Sequence, residues 1–427
     1  MMKMTYDVVI IGAGLAGFSS ALAAIKYNKK ALIVAKGLGN FYSASGYIDF
    51  LGYYPANSKQ PVPNPKISVK ELIDKQPNHP YSLVGEDAIN DAFSAFLQAT
   101  NEMGLPYTGS MDENILMPSA AGALVPTSLY PKTANRKITE AKEVIVVGIK
   151  ELADFYPVYA AHNLKRQLKC SIKPVWVTLG LKINRELNSY DIAIAMEKSE
   201  IKNSFINQLK SIVSKDSLVV VPAVLGVNAW QEVISDIEQG LECSVLEFPT
   251  LPPSVMGYRL AENLKDYLEF NGVDFIIGHP VTHVNYSQNA CQEIGITTGS
   301  GRVKIINGDN FILATGGILS EGLFVYPHEI KETVFGLPVA LVPQTTHEDF
   351  FDMEQVAISH AGVLTNTKLQ PVKPGTQQVL YENIFVAGAT LAGYDPFIEK
   401  SGNGVALASG YKAGLMAVAG REDGYNE

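Results

Sequence analysis

Tyr6-Asp-Val-Val-Ile-Ile-Gly-Ala-Gly-Leu-Ala-Gly-Phe18 decides the fold of this 427-residue chain. Tyr6 to Ile11 has the length and composition of a buried strand, and it runs without a spacer into three glycines, Gly12, Gly14 and Gly17. Phe18 to Tyr27 reads as a helix, and Ala31 to Val34 as a second strand. The segment is therefore a β-α-β unit. Glycines at this spacing turn the backbone tightly, let a pyrophosphate approach the chain and allow helix and strand to touch, while the first helical amides face the anion. Leu15 and Ala16, between the second and third glycines, belong to the same cradle.

Just beyond the unit the pattern departs from the usual one. A carboxylate about 20 residues after the glycines normally accepts the ribose hydroxyls of an adenosine. Here the second strand ends Val34-Ala35-Lys36-Gly37, which puts Ala35 at the acidic position with a cation beside it. Lys36 is either a phosphate contact or a solvated strand-end lysine. Two cofactor readings follow: FMN, which has no adenosine half, or FAD held without that bond. Ser43, Ser45 and Gly46 come next and read either as hydrogen-bonding partners of phosphate or ribityl oxygens, or as a solvated loop.

Further along, a Pro-rich and Asn-rich break from Pro55 to Pro65 ends the first segment. From Val69 to about Glu247 the chain reads as a second α/β region. Its strands are at Val144 to Val147, Val175 to Leu179 and Leu218 to Val221, and its helices include Tyr159 to Leu168 and Ala229 to Ile237. Phe248 to Val255, with three prolines, marks a return crossing. A helix from Gly257 to Phe270, strands at Val273 to Ile277 and Phe311 to Ala314, a strand at Asn383 to Ala387 and a small-residue helix from Gly404 to Ala419 complete the chain. The fold class expected is α/β, a Rossmann-like FAD/NAD(P)-binding flavoprotein fold with an inserted second α/β domain. The expected boundaries are 1–55 with 256–320 and 378–427 for the flavin-binding domain, 56–255 for the insertion, and 321–377 for a small cap or partner-contact segment.

Two later glycine turns fit a bound nucleotide. Phe311-Ile-Leu-Ala-Thr-Gly-Gly317 runs a strand into a turn at Gly316, where backbone would skirt the cofactor. Asn383-Ile-Phe-Val-Ala-Gly-Ala389 and Ser401-Gly-Asn-Gly-Val-Ala406 give a strand, a loop and a helix start. Gly388, Ala389, Gly402, Asn403, Gly404 and Val405 are the candidate contacts. The helix N-terminus would set a partial positive charge against the pyrimidine edge of a flavin, which becomes anionic at N1 and O2 on reduction. Otherwise the segment is a closely packed core helix.

Other chemistries find little support. A net charge of -9 with no block of Lys or Arg argues against a nucleic-acid footprint. Cys170, Cys243 and Cys291 are far apart and lack C-x-x-C spacing, which points away from disulfides, zinc and iron-sulfur ligands and towards a reducing cytosol. The seven histidines form no H-x-x-x-H set, so no metal is expected; His283, His328 and His360 read as structural before acid-base. Arg259 would hold an anionic substrate or a partner's acid by its fork of donors, or form a surface ion pair. No nucleophile elbow is present. Val8 to Ile11 passes straight into the glycine turn, so it reads as a strand and not as a signal peptide, and no apolar stretch approaches the roughly 20 residues of a membrane span.

Taken in order, these segments resemble the two-dinucleotide-binding-domain flavoproteins. Phe41-Tyr-Ser-Ala-Ser-Gly46, Asn78-His-Pro-Tyr-Ser-Leu83, Glu143-Val-Ile-Val-Val-Gly-Ile149, Thr250-Leu-Pro-Pro-Ser-Val255 and Ala392-Gly-Tyr-Asp-Pro396 narrow the resemblance to the B subunits of anaerobic glycerol-3-phosphate dehydrogenases, nearly end to end. That resemblance implies a polypeptide carrying FMN alongside an FAD-containing A subunit, with an iron-sulfur C subunit attaching the pair to the inner face of the cell membrane. It implies oxidation of sn-glycerol 3-phosphate to dihydroxyacetone phosphate with electrons passed to quinone. Carried over by position, the cofactor residues are Gly12, Gly14, Gly17, Ser45, Gly46, Gly388 and Gly402 to Val405. Related flavoproteins place an acid after the C-terminal Ala-Gly to hold the ribityl chain, and here that position is Ala389. With Ala35 also neutral, the flavin would be held mainly by backbone. A flavin-less scaffold subunit and a stand-alone FAD-dependent dehydrogenase or reductase of a small acid are the alternatives.

Overall fold

A computed structural model describes residues 5–181, 184–340 and 357–419. Its elements begin with β1 (Thr5–Ile11), α1 (Leu15–Lys26), β2 (Ala31–Ala35), α2 (Pro65–Lys75), α3 (Pro80–Val84) and α4 (Glu86–Glu102). There follow β3 (Glu143–Ile149), α5 (Pro157–Lys165), β4 (Ser171–Val177), α6 (Ser189–Met196), α7 (Ser199–Leu209), β5 (Ser217–Pro222), α8 (Trp230–Leu241) and β6 (Ser244–Phe248). The remainder holds α9 (Val255–Phe270), β7 (Asp274–Ile277), β8 (Val281–Ser287), β9 (Ala290–Thr297), β10 (Val303–Leu313), β11 (Ile384–Val386) and α10 (Gly402–Val418).

The chain divides into two compact units. The first holds residues up to 40, 49–103 and from 264 onwards; the second holds 41–48 and 104–263. These limits differ from the expected ones. Residues 56–103 fall in the first unit because α4 turns Ala88, Ile89, Ala92, Phe93 and Phe96 inward and packs on α10. The described part of 321–377 joins the first unit too, where Gly362 lies so close to Leu391 and Ala392 that an added Cβ would meet their backbone at 2.4 Å. Residues 341–356 of that segment lie outside the described residues, as do 420–427 of the C-terminal one.

In the first unit β7, β2, β1, β10 and β11 form a parallel array in that order, with β8 and β9 added antiparallel along the first half of β10. β1 and β2 are almost wholly buried, which explains their unbroken apolar runs. The β8–β9 hairpin escapes a sequence reading because its outer strand is largely exposed and polar. α1 and α10 pack together through small residues. Gly410 faces Ala16 and Gly414 faces Ser20, with Ser19 Oγ donating to the Leu407 carbonyl at 2.6 Å and Ser20 Oγ to the Gly410 carbonyl at 2.8 Å. The matched numbering shows that the two helices run in the same direction.

The second unit has a four-stranded parallel sheet in the order β6-β5-β3-β4. Pro174 lies inside β4, which therefore starts earlier than its apolar residues suggest; an edge strand tolerates the missing amide. β6 is obscured by Glu247, an acid at a wholly buried position. Its partner is Arg259, which is 2 % exposed, so neither a surface ion pair nor a substrate contact describes it. Nη1 and Nη2 bind the two Glu247 oxygens at 2.6 and 2.9 Å, Nε donates to the Gly226 carbonyl at 2.8 Å, and Leu225 N–H adds a bond to Glu247 at 3.0 Å. The fork of donors is spent inside the unit. Arg259→Ala should leave Glu247 buried without its cation and cost about 3–5 kcal/mol, read as a lower urea midpoint; an unchanged midpoint would refute this role.

Candidate functional site

The parallel strands of the first unit all end on one edge, and the expected glycines gather there. Gly12 follows β1 with φ +127°, and a Cβ on it would sit 2.1 Å from the Ala314 carbonyl oxygen; one on Gly17 would sit 2.0 Å from the Gly12 carbonyl. No larger residue fits this close crossing of β1, α1 and the end of β10. Gly14 differs, being in extended backbone with nothing within 4 Å of an added Cβ. It caps α1 without a side-chain bond, and no acid stands in the first turn of that helix. The α1 amides are thus offered to an anion by the protein itself. Leu15 and Ala16 are buried behind them.

Three loops close round this helix end. Gly316 has φ +81° and its carbonyl accepts Thr390 Oγ1 at 3.0 Å, while Gly317 approaches the Ala389 carbonyl. Thr315 Oγ1, between Ala314 and Gly316, is buried with no hydrogen-bond partner in the protein. Gly388 donates its N–H to Ser409 Oγ at 2.9 Å, and Ala389 beside it is exposed. The third loop follows β2. Gly39, which belongs to no motif in the sequence, lies where a Cβ would be 3.0 Å from both Ala13 O and Gly14 Cα. The loop is strapped to the turn after β10 by an ion pair of Lys36 with Glu321 and by Asn40 Nδ2 to Ser320 Oγ at 3.2 Å. Lys36 is solvated, as one reading allowed, and its charge is met by Glu321. Ser43, Ser45 and Gly46 belong to the second unit. There Ser45 Oγ accepts Tyr47 N–H at 3.2 Å, and the Gly46 carbonyl accepts Tyr107 OH at 2.7 Å.

α10 reaches beyond α1. Ala16 is one residue into α1, whereas its neighbour Gly410 is eight residues past Gly402, so α10 begins some seven residues, roughly 10 Å, ahead along the shared direction. Gly402 and Asn403 remain partly accessible there, while Gly404 and Val405 are buried. Gly404 is fixed by close approach: a Cβ would meet Tyr81 OH at 2.3 Å and the Asp49 carbonyl at 2.8 Å.

The start of α10 is met by an acid from a distant stretch of the chain. Asp49 accepts Asn403 Nδ2 at 2.9 Å and also the Asn403 backbone N–H, while its own carbonyl takes the Gly404 N–H at 2.8 Å. Burial raises the Asp49 carboxyl to about 6, against the lowering effect of its own backbone amide, Lys400 and the Asn403 donors. The loop before α10 is braced by a buried pair, one member of which, His79, lies in a segment noted only for its resemblance. His79 Nε2 lies 3.2 Å from Glu399 Oε2, and Ser401 Oγ donates to the same oxygen at 2.9 Å. His79 Nδ1 accepts the Tyr81 N–H at 3.0 Å, so the ring proton sits on Nε2 and points at the carboxylate.

These features fit a flavin phosphate: an uncapped helix start, an orphaned hydroxyl beside it, and a second helix start further along the same direction. Residues 7–405 match the family model described as an FAD binding domain. The chain is 30 % identical over 96 % of its length, and 96 % of the relative's, to the B subunit of the anaerobic glycerol-3-phosphate dehydrogenase of Vibrio cholerae serotype O1 (El Tor Inaba N16961). The chain belongs to the family of anaerobic glycerol-3-phosphate dehydrogenase B subunits.

A Halobacterium salinarum relative described as a probable B subunit of the same kind is 29 % identical over 99 % of this chain and 100 % of its own. Among solved structures, a flavocytochrome c3 fumarate reductase in its open conformation aligns at a TM-score of 0.45 and 10 % identity, covering 97 % of this chain and 78 % of that one. Members of the B-subunit family are components of flavin-dependent oxidoreductases, so the cofactor of this chain is a flavin.

Gly404→Ala should destabilise the protein by roughly 1–3 kcal/mol through its clash with Tyr81 OH. Removing that hydroxyl with Tyr81→Phe should recover part of the loss, so that thermal melts of the two single variants and the double show positive coupling. Additive losses would mean that this contact does not set the residue.

Proposed function

We propose that this chain is the flavin-carrying subunit of a heteromeric anaerobic sn-glycerol-3-phosphate dehydrogenase. Electrons from the oxidation of glycerol 3-phosphate to dihydroxyacetone phosphate pass through its flavin towards quinone. The observation that carries the proposal is the pairing of two same-direction helix starts at one sheet edge, the first of them uncapped. The relatives' description as B subunits of such a dehydrogenase supplies the reaction and the partners. An FAD-containing A subunit and an iron-sulfur C subunit complete the assembly in this reading. Among the described residues no helix is long and apolar enough to cross a membrane, so the proposal gives attachment at the inner face to a partner.

FMN is the form we favour. Ala35 and Ala389 offer no carboxylate to either sugar, and the strap from Lys36 and Asn40 to Ser320 and Glu321 lies over the side on which an adenosine would run. FAD is the second reading, favoured by the match to an FAD binding domain. When bound, the flavin supplies the two-electron chemistry. The chain's part is to hold the phosphate on the α1 amides and Thr315 Oγ1, to keep the ribityl chain along Gly388 and Ala389, and to aim Gly402 and Asn403 at the pyrimidine edge.

Extraction of the cofactor from the purified chain, followed by chromatography and mass spectrometry, should yield FMN; FAD would shift the reading, and the absence of any flavin would overturn it. Gly14→Asp separates binding from folding. The backbone there accepts a side chain, and the new carboxylate should cap α1, adding roughly a few tenths of a kcal/mol of stability, while filling the anion position. Loss of flavin absorbance is expected, with a melt at or above that of flavin-stripped wild type, and full retention of flavin would count against phosphate binding at this helix.

A further inference from the structure

Asp49 stands out among the groups that this function has not absorbed. It lies on the 49–103 segment of the first unit, 354 positions from its partner Asn403, yet its carboxylate receives both the side-chain and the backbone N–H of that residue in the first turn of α10. The acid is partly shielded from water, and the charged and titratable groups that surround it are Lys400, Tyr81, Tyr394 and, through the same cluster, Glu399 with His79. Lys400 is the one cation among them. Burial pushes both tyrosines well above their ordinary range, so neither exchanges a proton near neutrality. Asp49, brought up to about 6, does.

We propose that Asp49 is the proton-linked residue of the flavin site, taking up one proton when two electrons enter the flavin and so offsetting the charge that they add at the start of α10. The inference rests on the flavin reading given above, and it concerns an acid that neither the glycine motifs nor the family's fold requires. Its logic is electrostatic. With the flavin oxidised, the ionised carboxylate is held by Asn403 and the helix end. Each electron pair that enters brings negative charge to the same few donors, and a second anion in one poorly solvated place raises the proton affinity of the Asp49 carboxylate. The donor of the electrons is glycerol 3-phosphate in the proposed reaction, or dithionite in a titration, and the proton comes from solvent through the accessible edge at Asn403.

The sign follows directly. Below about pH 6 Asp49 carries its proton in both redox states and contributes nothing. Above the higher value that it reaches beside reduced flavin, it is ionised in both and again contributes nothing. Between the two, reduction draws one extra proton per electron pair, and the midpoint potential falls more steeply with pH.

The test is a spectroelectrochemical titration of the full chain from pH 5 to 9, with flavin content read first from its visible absorbance. The wild type should show a steeper segment opening near pH 6, by one proton per electron pair. Asp49→Asn keeps an acceptor for Asn403 and should hold flavin with the steeper segment gone and a higher potential at alkaline pH. Asp49→Ser, a second capping residue, serves if the first variant binds poorly. Flavin present with a wild-type slope that never steepens, or with slopes that coincide in wild type and variants, would overturn the role of Asp49 alone. A chain with no flavin would overturn both this role and the flavin reading beneath it.

Discussion

Much of the first unit depends on how closely α1 and α10 approach. Glycine, alanine and serine line the seam: a Cβ on Gly410 would come within 2.2 Å of the Ala16 carbonyl, and one on Gly414 within 2.5 Å of the Ser20 carbonyl. Backbones this close exclude a register slip of even one residue along α10, because Tyr411 and Leu415, the positions after the two glycines, are too large for the seam. The seam therefore sets how far α10 leads α1, and with it the separation of the two helix starts. In the proposed reading a small-residue helix and an anion site are compatible parts of one arrangement.

Those parts of the site that are legible in the sequence are local. Gly12, Gly14 and Gly17 carry their geometry within six positions of chain, and the strands around them are continuous apolar runs because both faces are covered. Gly316 and Gly388 are equally readable as turns after strands. What escapes is what depends on distant partners. Asp49 looks like a loop acid until Asn403 is beside it, and His79 looks like any histidine until Glu399 is 3.2 Å away. Arg259 is misplaced for the same reason, since only the fold reveals that Glu247 is an acid in the core. The signal that exists is compositional: Asn78 to Leu83 and Ala392 to Pro396 together hold a histidine, two tyrosines and an aspartate close to small or apolar residues, as buried polar networks do.

The two missing carboxylates acquire a structural complement. In the proposed reading an orphaned threonine hydroxyl and free helical amides stand in for acids at Ala35 and Ala389, while Asp49 grips the protein. Such a site relies on backbone for affinity and keeps its titratable group for electrostatics.

The strap formed by Lys36 with Glu321 and Asn40 with Ser320 bears on how a cofactor enters and leaves. A Cβ on Gly39 would lie 3.0 Å from Gly14 Cα, so the loop that carries it passes close to the start of α1, where the proposed phosphate would sit. The ties that hold it are exposed side chains, the kind of ion pair worth little at equilibrium and readily screened by salt. In the proposed reading the loading of a cofactor therefore responds to ionic conditions through a surface contact, beside the affinity of the cradle itself.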